Sequence, residues 1–209
     1  MVHGKFITLE GGEGVGKTTN LEFVVAYLRD RGVDVVQTRE PGGTPLAEQI
    51  RALLLEVRAE SMDSMTELLL VFAARAQHLA SVIRPALSAG RWVVCDRFTD
   101  ATYAYQGGGR GMDVKVIGTL ESMVQEQLRP DLTVYLDVPT EVAARRIADR
   151  EHDRFEREAQ AFFELVRSAY LERARSNAAM EVVDASRELP AVQQDIACIL
   201  EQHLPGAAT

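Results

Sequence analysis

Residues 11–18 read Gly-Gly-Glu-Gly-Val-Gly-Lys-Thr, a spacing suited to holding a polyphosphate. Gly11, Gly14 and Gly16 free the backbone for conformations closed to other residues, so successive N–H groups can converge on one anion. Lys17 supplies a point charge for the outer phosphates, and the Thr18 hydroxyl is a ligand type for Mg²⁺. The segment follows the apolar run Lys5–Glu10 and opens a helical stretch whose first turn carries a positive dipole end. That setting reads as a nucleoside triphosphate cradle made by Gly11, Gly12, Glu13, Gly14, Val15, Gly16, Lys17, Thr18 and Thr19, with Mg²⁺ as companion, rather than a plain glycine-rich turn.

A second set of groups follows the run Val93-Val94-Cys95, which ends in Asp96-Arg97. An acid at a strand end fits the Mg²⁺-associated position that accompanies such loops. An arginine beside it offers a bidentate fork for a second phosphate, which a transferase needs and a hydrolase does not. The third set is Arg145–Arg154, with four arginines in ten residues of a chain of net charge −8. Composition alone favours a solvated helix end. The alternative is a mobile lid at about 145–155 that brings positive charge to a phosphoryl group in transfer. The variable positions of the loop, Glu13 and Val15, hold no arginine, so such charge has to come from elsewhere.

These groups need a scaffold, and the chain alternates strand-like and helical runs. Besides the first run, Val33–Thr38, Arg91–Asp96, Leu132–Asp137 and Met180–Asp184 read as strands. Helical patterns cover Thr18–Arg31, Pro45–Arg58, Ser64–Ala89, Val114–Leu128, Pro139–Arg150, Phe155–Asn177 and Pro190–His203. Near-continuous apolar strands separated by helices predict a parallel five-stranded sheet covered on both faces. Ligands then sit at the carboxyl ends of the strands, where the cradle, Arg39-Glu40 and Asp96-Arg97 all fall. With 209 residues and neither repeats nor a long linker, 1–209 reads as one domain. The acidic balance argues against a general nucleic-acid or membrane surface, and no apolar stretch reads as a membrane span. Cys95 and Cys198 lie in no metal-like spacing, which suits a reducing cytoplasm. His78 and His152 show no metal partners.

Taken together, Glu10–Thr19, Arg39-Glu40-Pro41-Gly42-Gly43-Thr44-Pro45, Phe72-Ala73-Ala74-Arg75, Asp96-Arg97-Phe98, Thr102–Gly107, Pro130-Asp131-Leu132 and Asp153-Arg154-Phe155-Glu156 resemble the bacterial thymidylate kinases, in that family's order. The resemblance runs over about residues 5–185. It implies a three-layer α/β/α P-loop kinase fold with a short helical lid, a homodimer, and phosphoryl transfer from ATP to dTMP with Mg²⁺. It further implies that Arg51 and Arg97 hold the dTMP phosphate, and that Arg75 and Gln106 hydrogen-bond the thymine edge with Thr102 nearby. Glu40 belongs to the same substrate site. Tyr105 crowds the sugar 2′ position, Glu13 lies between the two phosphate sites, and Thr18 and Asp96 attend the metal. Lys17, Arg97, Glu13 and the lid arginines Arg150 and Arg154 are the catalytic set, with Arg145 or Arg146 as substitutes for Arg150. The base-stacking position falls on either Val71 or Phe72, four and three residues before Arg75.

Two other readings stand beside this one. A P-loop kinase for a different deoxynucleotide or deoxynucleoside would share the cradle. A nucleotide-driven switch ATPase would share it too, but the two asparagines, Asn20 and Asn177, lie in no Asn-Lys-x-Asp base-reading motif.

Overall fold

Five apolar runs become five strands in the computed structural model, which describes residues 4–148 and 153–204. They are β1 (Phe6–Glu10), β2 (Val35–Arg39), β3 (Trp92–Asp96), β4 (Leu132–Asp137) and β5 (Met180–Asp184). All neighbouring pairs are parallel, in the order β2-β3-β1-β4-β5. β1 is buried along its whole length because helices cover both faces, whereas the edge strands β2 and β5 are partly exposed. Alternation assigns the faces. Ile7, Leu9 and Val94 pack with α1 (Lys17–Arg29) and the last helix, while Phe6, Val93 and Cys95 pack on the opposite side with Leu79, Ile83 and Phe98. The chain order reverses beside β1, so a crevice opens at the carboxyl ends of β1, β3 and β4.

The remaining elements are α2 (Pro45–Leu55), α3 (Ser64–His78), α4 (Arg84–Ser88), α5 (Thr99–Thr102), α6 (Val114–Gln125), α7 (Thr140–Ile147), α8 (Gln160–Ser176) and α9 (Leu189–Glu201). Thr44 caps α2, accepting from Ala47 N at 3.1 Å ahead of Pro45, and Asp63 caps α3. A π-helical turn, Leu79–Ile83, joins α3 to α4, so Ser64–Ser88 runs continuously, close to the expected helix. Within that 25-residue run an 18-residue window has a mean hydropathy of 1.2, long and apolar enough to pass for a membrane span, contrary to the expectation from sequence. Half of it is buried inside the protein, and its Glu67, Arg75 and His78 are buried and paired, which makes it a core helix.

Two boundaries differ from expectation. Helix α8 starts at Gln160 rather than Phe155, because the Asp153 carboxylate accepts from Phe155 N and Glu156 N and holds a turn there. The stretch Gln106–Gly111, whose run of glycines favours a loop, mostly belongs to a second π-helical segment, Tyr103–Gly109, which continues α5. Its glycines serve close packing. A Cβ on Gly108 would lie 2.6 Å from Ala169 Cβ and 3.0 Å from the Leu165 carbonyl on α8. Gly108→Ala should therefore push α8 away and destabilise the protein by about 1–3 kcal/mol, the scale of overpacking. Denaturant unfolding measures it, and an unchanged midpoint would contradict the contact.

Candidate active site

The carboxyl ends of the strands open into one cleft of about 690 Å³. Glu13–Thr19 form its floor, Glu40 and Pro41 one edge, Arg51 and Leu55 of α2 a side, Val71 and Arg75 of α3 the far wall. Asp96, Arg97 and Phe98 sit at the centre, with Thr102, Tyr105 and Gln106 behind them.

The glycine loop has the backbone that its sequence calls for. Gly14 and Gly16 have φ of 71° and 88°, and Gly16 starts α1 in the left-handed region. Lys17 Nζ donates to the carbonyls of Gly11 and Gly12 at 3.1 and 2.5 Å. Burial, then the neighbouring Arg97, push its pKa below the usual lysine range, against the pull of Glu13.

Arg97 is the hub. Its backbone takes a φ of 67°, unusual outside glycine, and is held there by N–H donation to Leu9 O at 3.0 Å. The side chain reaches back to the loop: Nη2 donates to Glu13 Oε1 at 2.5 Å, the Tyr105 hydroxyl at 3.0 Å and the Gly11 carbonyl at 3.3 Å. Tyr105 in turn donates to Glu13 at 3.2 Å. Burial would raise the Glu13 carboxyl, but Arg97 and Lys17 outweigh it and hold it well below the usual carboxylate range. Arg51, which donates to the Pro41 carbonyl at 2.9 Å, is pushed below the usual arginine range by burial and by Arg39 and Arg97. Lys17, Arg51 and Arg97 thus crowd positive charge into one cleft, an arrangement relieved by anions.

The far wall is a separate network. Arg75 is buried between the rings of Phe72 and Phe98, at 4.9 and 5.0 Å. Nε donates to Glu40 at 2.7 Å, and Nη2 to Thr102 Oγ1 and the Phe98 carbonyl at 3.0 and 3.1 Å. Its Nη1 is buried with no partner among the described residues, an unmet donor in a residue that lines the cleft.

Residues 9–196 match the family described as thymidylate kinase. The chain belongs to the thymidylate kinase family. It is 61% identical over 208 residues to the thymidylate kinase of Chromohalobacter salexigens, covering 98% of each chain. It is 63% identical over 199 residues to that of Pseudomonas putida, covering 94% of this chain and 95% of the relative. The crystal structure of the thymidylate kinase from Ehrlichia chaffeensis superposes with a TM-score of 0.76 at 35% identity, over 95% of this chain and 99% of that one. The fold is the α/β P-loop kinase fold, and the protein is a nucleotide-binding transferase.

Within this thymidylate kinase family member, the cleft gathers the loop residues from Glu13 to Thr19 together with Glu40, Arg51, Arg75, Asp96, Arg97, Thr102, Tyr105 and Gln106. Two expected residues stand differently. Phe72 does not line the cleft; it packs on Leu68 and Ile117 beneath Arg75, and Val71 takes the wall position, because one helical step turns the side chain by about 100°. Arg154 does not line it either. Nη2 donates to Glu67 and Nε to the Leu54 carbonyl, both at 2.7 Å, since the buried Glu67 carboxylate demands cationic partners. Arg150 lies outside the described residues. Of the lid arginines, Arg146 lines the cleft, donating to the Ala185 carbonyl at 3.1 Å and toward Gly14 O at 3.4 Å.

Sequence reasoning missed the buried carboxylates that brace these groups. Glu67 accepts from Gln106 Nε2 at 2.7 Å and from Arg110, as well as from Arg154. Its only trace was a lone acid opening the apolar run 68–72. Glu10, fully buried, accepts from Phe98 N at 2.6 Å and from the Tyr170 hydroxyl at 2.8 Å, fixing the chain just after Arg97. Burial, with the nearby Asp100 charge, pushes its pKa up to about 8. The folded state therefore keeps a proton on Glu10 that the unfolded chain has lost, and this group costs stability progressively as pH rises from about 4.5 to 8. Glu10→Gln can keep both contacts without the charge, its carbonyl oxygen accepting from Phe98 N and its amide donating to the Tyr170 oxygen. Its melting temperature should gain on the native protein's from about pH 5 to pH 8 and then level off. A constant difference across that range would refute the assignment.

Proposed function

We propose that the chain transfers the γ-phosphoryl group of ATP to dTMP, giving ADP and dTDP. The observation that carries this reading is a single cleft holding a triphosphate cradle on one side and, across the Glu13–Arg97 pair, a second cationic site bounded by a wall on which Arg75 Nη1 is an unmet hydrogen-bond donor. The loop N–H groups and Lys17 hold the donor phosphates. Arg97 and Arg51 hold the acceptor phosphate, whose oxygen attacks the γ-phosphorus as the bond to the β–γ bridging oxygen breaks. Catalysis of this kind is chiefly positioning and charge stabilisation. Glu13 fixes the Arg97 fork and the Tyr105 hydroxyl together, which ties the acceptor site and the sugar-facing ring to the donor loop.

The site suits Mg²⁺. Asp96 Oδ1 is buried without a partner among the described residues, and Thr18 lines the same cleft. No cluster of three His, Cys, Asp or Glu occurs among the described residues, so an ion held here would draw most of its ligands from phosphate and water oxygens, the habit of magnesium. When bound, the ion neutralises phosphate charge.

The thymine edge meets Arg75, Thr102 and Gln106, with Val71 as apolar floor. Arg146 supports the lid reading best, with Arg150 beside it in sequence; Arg154 serves only by leaving Glu67. The protein works as a cytoplasmic homodimer. In support, both cysteines are free, and α2, α3 and α6 expose Leu53, Met65, Leu69, Val116 and Met123. Sedimentation equilibrium reads the assembly directly.

A panel of nucleoside monophosphates with ATP and Mg²⁺ tests the substrate. dTMP should be the preferred acceptor. dUMP should follow at kcat/KM about 10–200-fold lower, since one methyl in an apolar pocket supplies only that much discrimination. Equal rates with dCMP, or ATP turnover without acceptor, would overturn the proposal. Arg97→Ala should raise KM for dTMP at least about tenfold while ATP binding changes less; the reverse pattern would reassign the clamp.

A further inference from the structure

His78 is completely buried on the last turn of α3, one helical turn beyond the base-facing Arg75. Its Nδ1 lies 2.9 Å from Glu40 Oε1, and its Nε2 lies 2.6 Å from Thr38 Oγ1 at the end of β2. A carboxylate can only accept, so Nδ1 carries the proton toward Glu40; in the neutral ring Nε2 then accepts from the threonine hydroxyl. The other Glu40 oxygen accepts from Arg75 Nε at 2.7 Å. Thr38, His78, Glu40 and Arg75 form one unbroken chain of hydrogen bonds that ends at the cleft. The loop after β2 is shaped around it. A Cβ on Gly43 would lie 2.5 Å from His78 Nε2 and 2.6 Å from Thr38 Oγ1, and Gly43 also has a φ of 81°.

We infer that His78, oriented by Thr38, is a positioning residue for nucleoside monophosphate recognition: it fixes the Glu40 carboxylate, and Glu40 fixes the plane in which Arg75 presents its free Nη1 to the base. A carboxylate held on one side only can rotate. Turning it breaks the 2.7 Å contact to Nε and leaves the guanidinium hinged on its Nη2 contacts alone, able to tilt between the rings of Phe72 and Phe98. Among the described residues the hydrogen bonds of His78 run to Thr38 and Glu40 and not to the ATP cradle, so its effect falls on the acceptor. This inference rests on the proposal that Arg75 meets the base.

The test compares His78→Leu, His78→Asn, Thr38→Val and Thr38→Ser by steady-state kinetics with dTMP and ATP varied separately. Asparagine can place an N–H donor near the Nδ1 position, whereas leucine cannot. His78→Leu should raise KM for dTMP about tenfold, the scale of one hydrogen bond to a charged group. KM for ATP and kcat at saturating dTMP should stay within about twofold of the native enzyme. His78→Asn should recover most of the loss, and Thr38→Val should show a smaller loss that Thr38→Ser does not. If His78→Leu fails to fold, the threonine pair and His78→Asn decide. An unchanged KM for dTMP in His78→Leu, equal losses for both substrates, or no difference between Thr38→Val and Thr38→Ser would overturn the inference. Arg75→Lys separates the two levels. If it leaves KM for dTMP unchanged, the base-site proposal is wrong; if it raises KM while the His78 and Thr38 variants do not, only the relay is wrong.

Discussion

Arg97 and Glu13 meet at 2.5 Å with most of both side chains out of water. Neither charge would be tolerated there alone, since an isolated buried ion costs several kcal/mol. The pair joins two parts of the chain that are remote in sequence, the loop after β1 and the turn after β3, which the proposed function assigns to the two nucleotide phosphates. Adjacent parallel pairing of β1 and β3 brings them together, with Leu9 opposite Asp96. The left-handed φ of Arg97 then turns its side chain back over the loop instead of onward with the strand. Had Arg97 continued the strand, Glu13 would lose its counter-charge and the proposed acceptor site its guanidinium.

The same constraint explains why the site needs so many carboxylates. Three groups presented to the cleft are each held by a glutamate: Glu13, largely out of water, holds Arg97, while the buried Glu40 and Glu67 hold Arg75 and Gln106. Glu10 plays the corresponding part for the backbone after Arg97. Cations aimed at a ligand by flexible side chains alone would pay the ordering entropy at every binding event. Held by carboxylates, they are ordered before the ligand arrives. Arginine suits this better than lysine, because a planar fork can be gripped at Nε or one Nη and still offer the other. Arg75 does so, with three contacts made and Nη1 left over.

What could be read from the sequence follows from the range of the interactions involved. The cradle is local: glycine φ angles, a lysine and a threonine within eight residues state their own geometry. The sheet was legible because apolar runs and helical periods repeat along the chain. The resemblance put Glu40 in the substrate site, but its bracing of Arg75, and Glu67 altogether, were not legible, because these two act through partners 35 and 39 residues away, Arg75 and Gln106, and nothing in the local pattern marks a glutamate as buried. Phe72 was misleading for a related reason. An aromatic three residues before an arginine can reach the same side of a helix, but the choice between Val71 and Phe72 depends on how α3 is rotated against α6, where Ile117 claims the phenyl ring.

The segment Thr102–Gly111 shows where composition and packing pull apart. Three consecutive glycines argue for a loop, since glycine costs about 1 kcal/mol per residue in a helix. The backbone is helical nonetheless, because α8 passes so near that side chains at Gly108 and Gly109 would strike Ala169 and Phe162. The helical cost of glycine is offset by the packing it permits. That close approach matters to the site: α8 carries Phe162, whose ring meets Tyr105 edge-on at 6.1 Å, and Tyr170, whose hydroxyl holds Glu10. The wider π turn carries both Tyr105 and Gln106 to the cleft, while Tyr103 is turned away to Glu121. A loop of the same composition could supply the side chains, but without α8 against it nothing would hold the Tyr105 hydroxyl between Arg97 and Glu13.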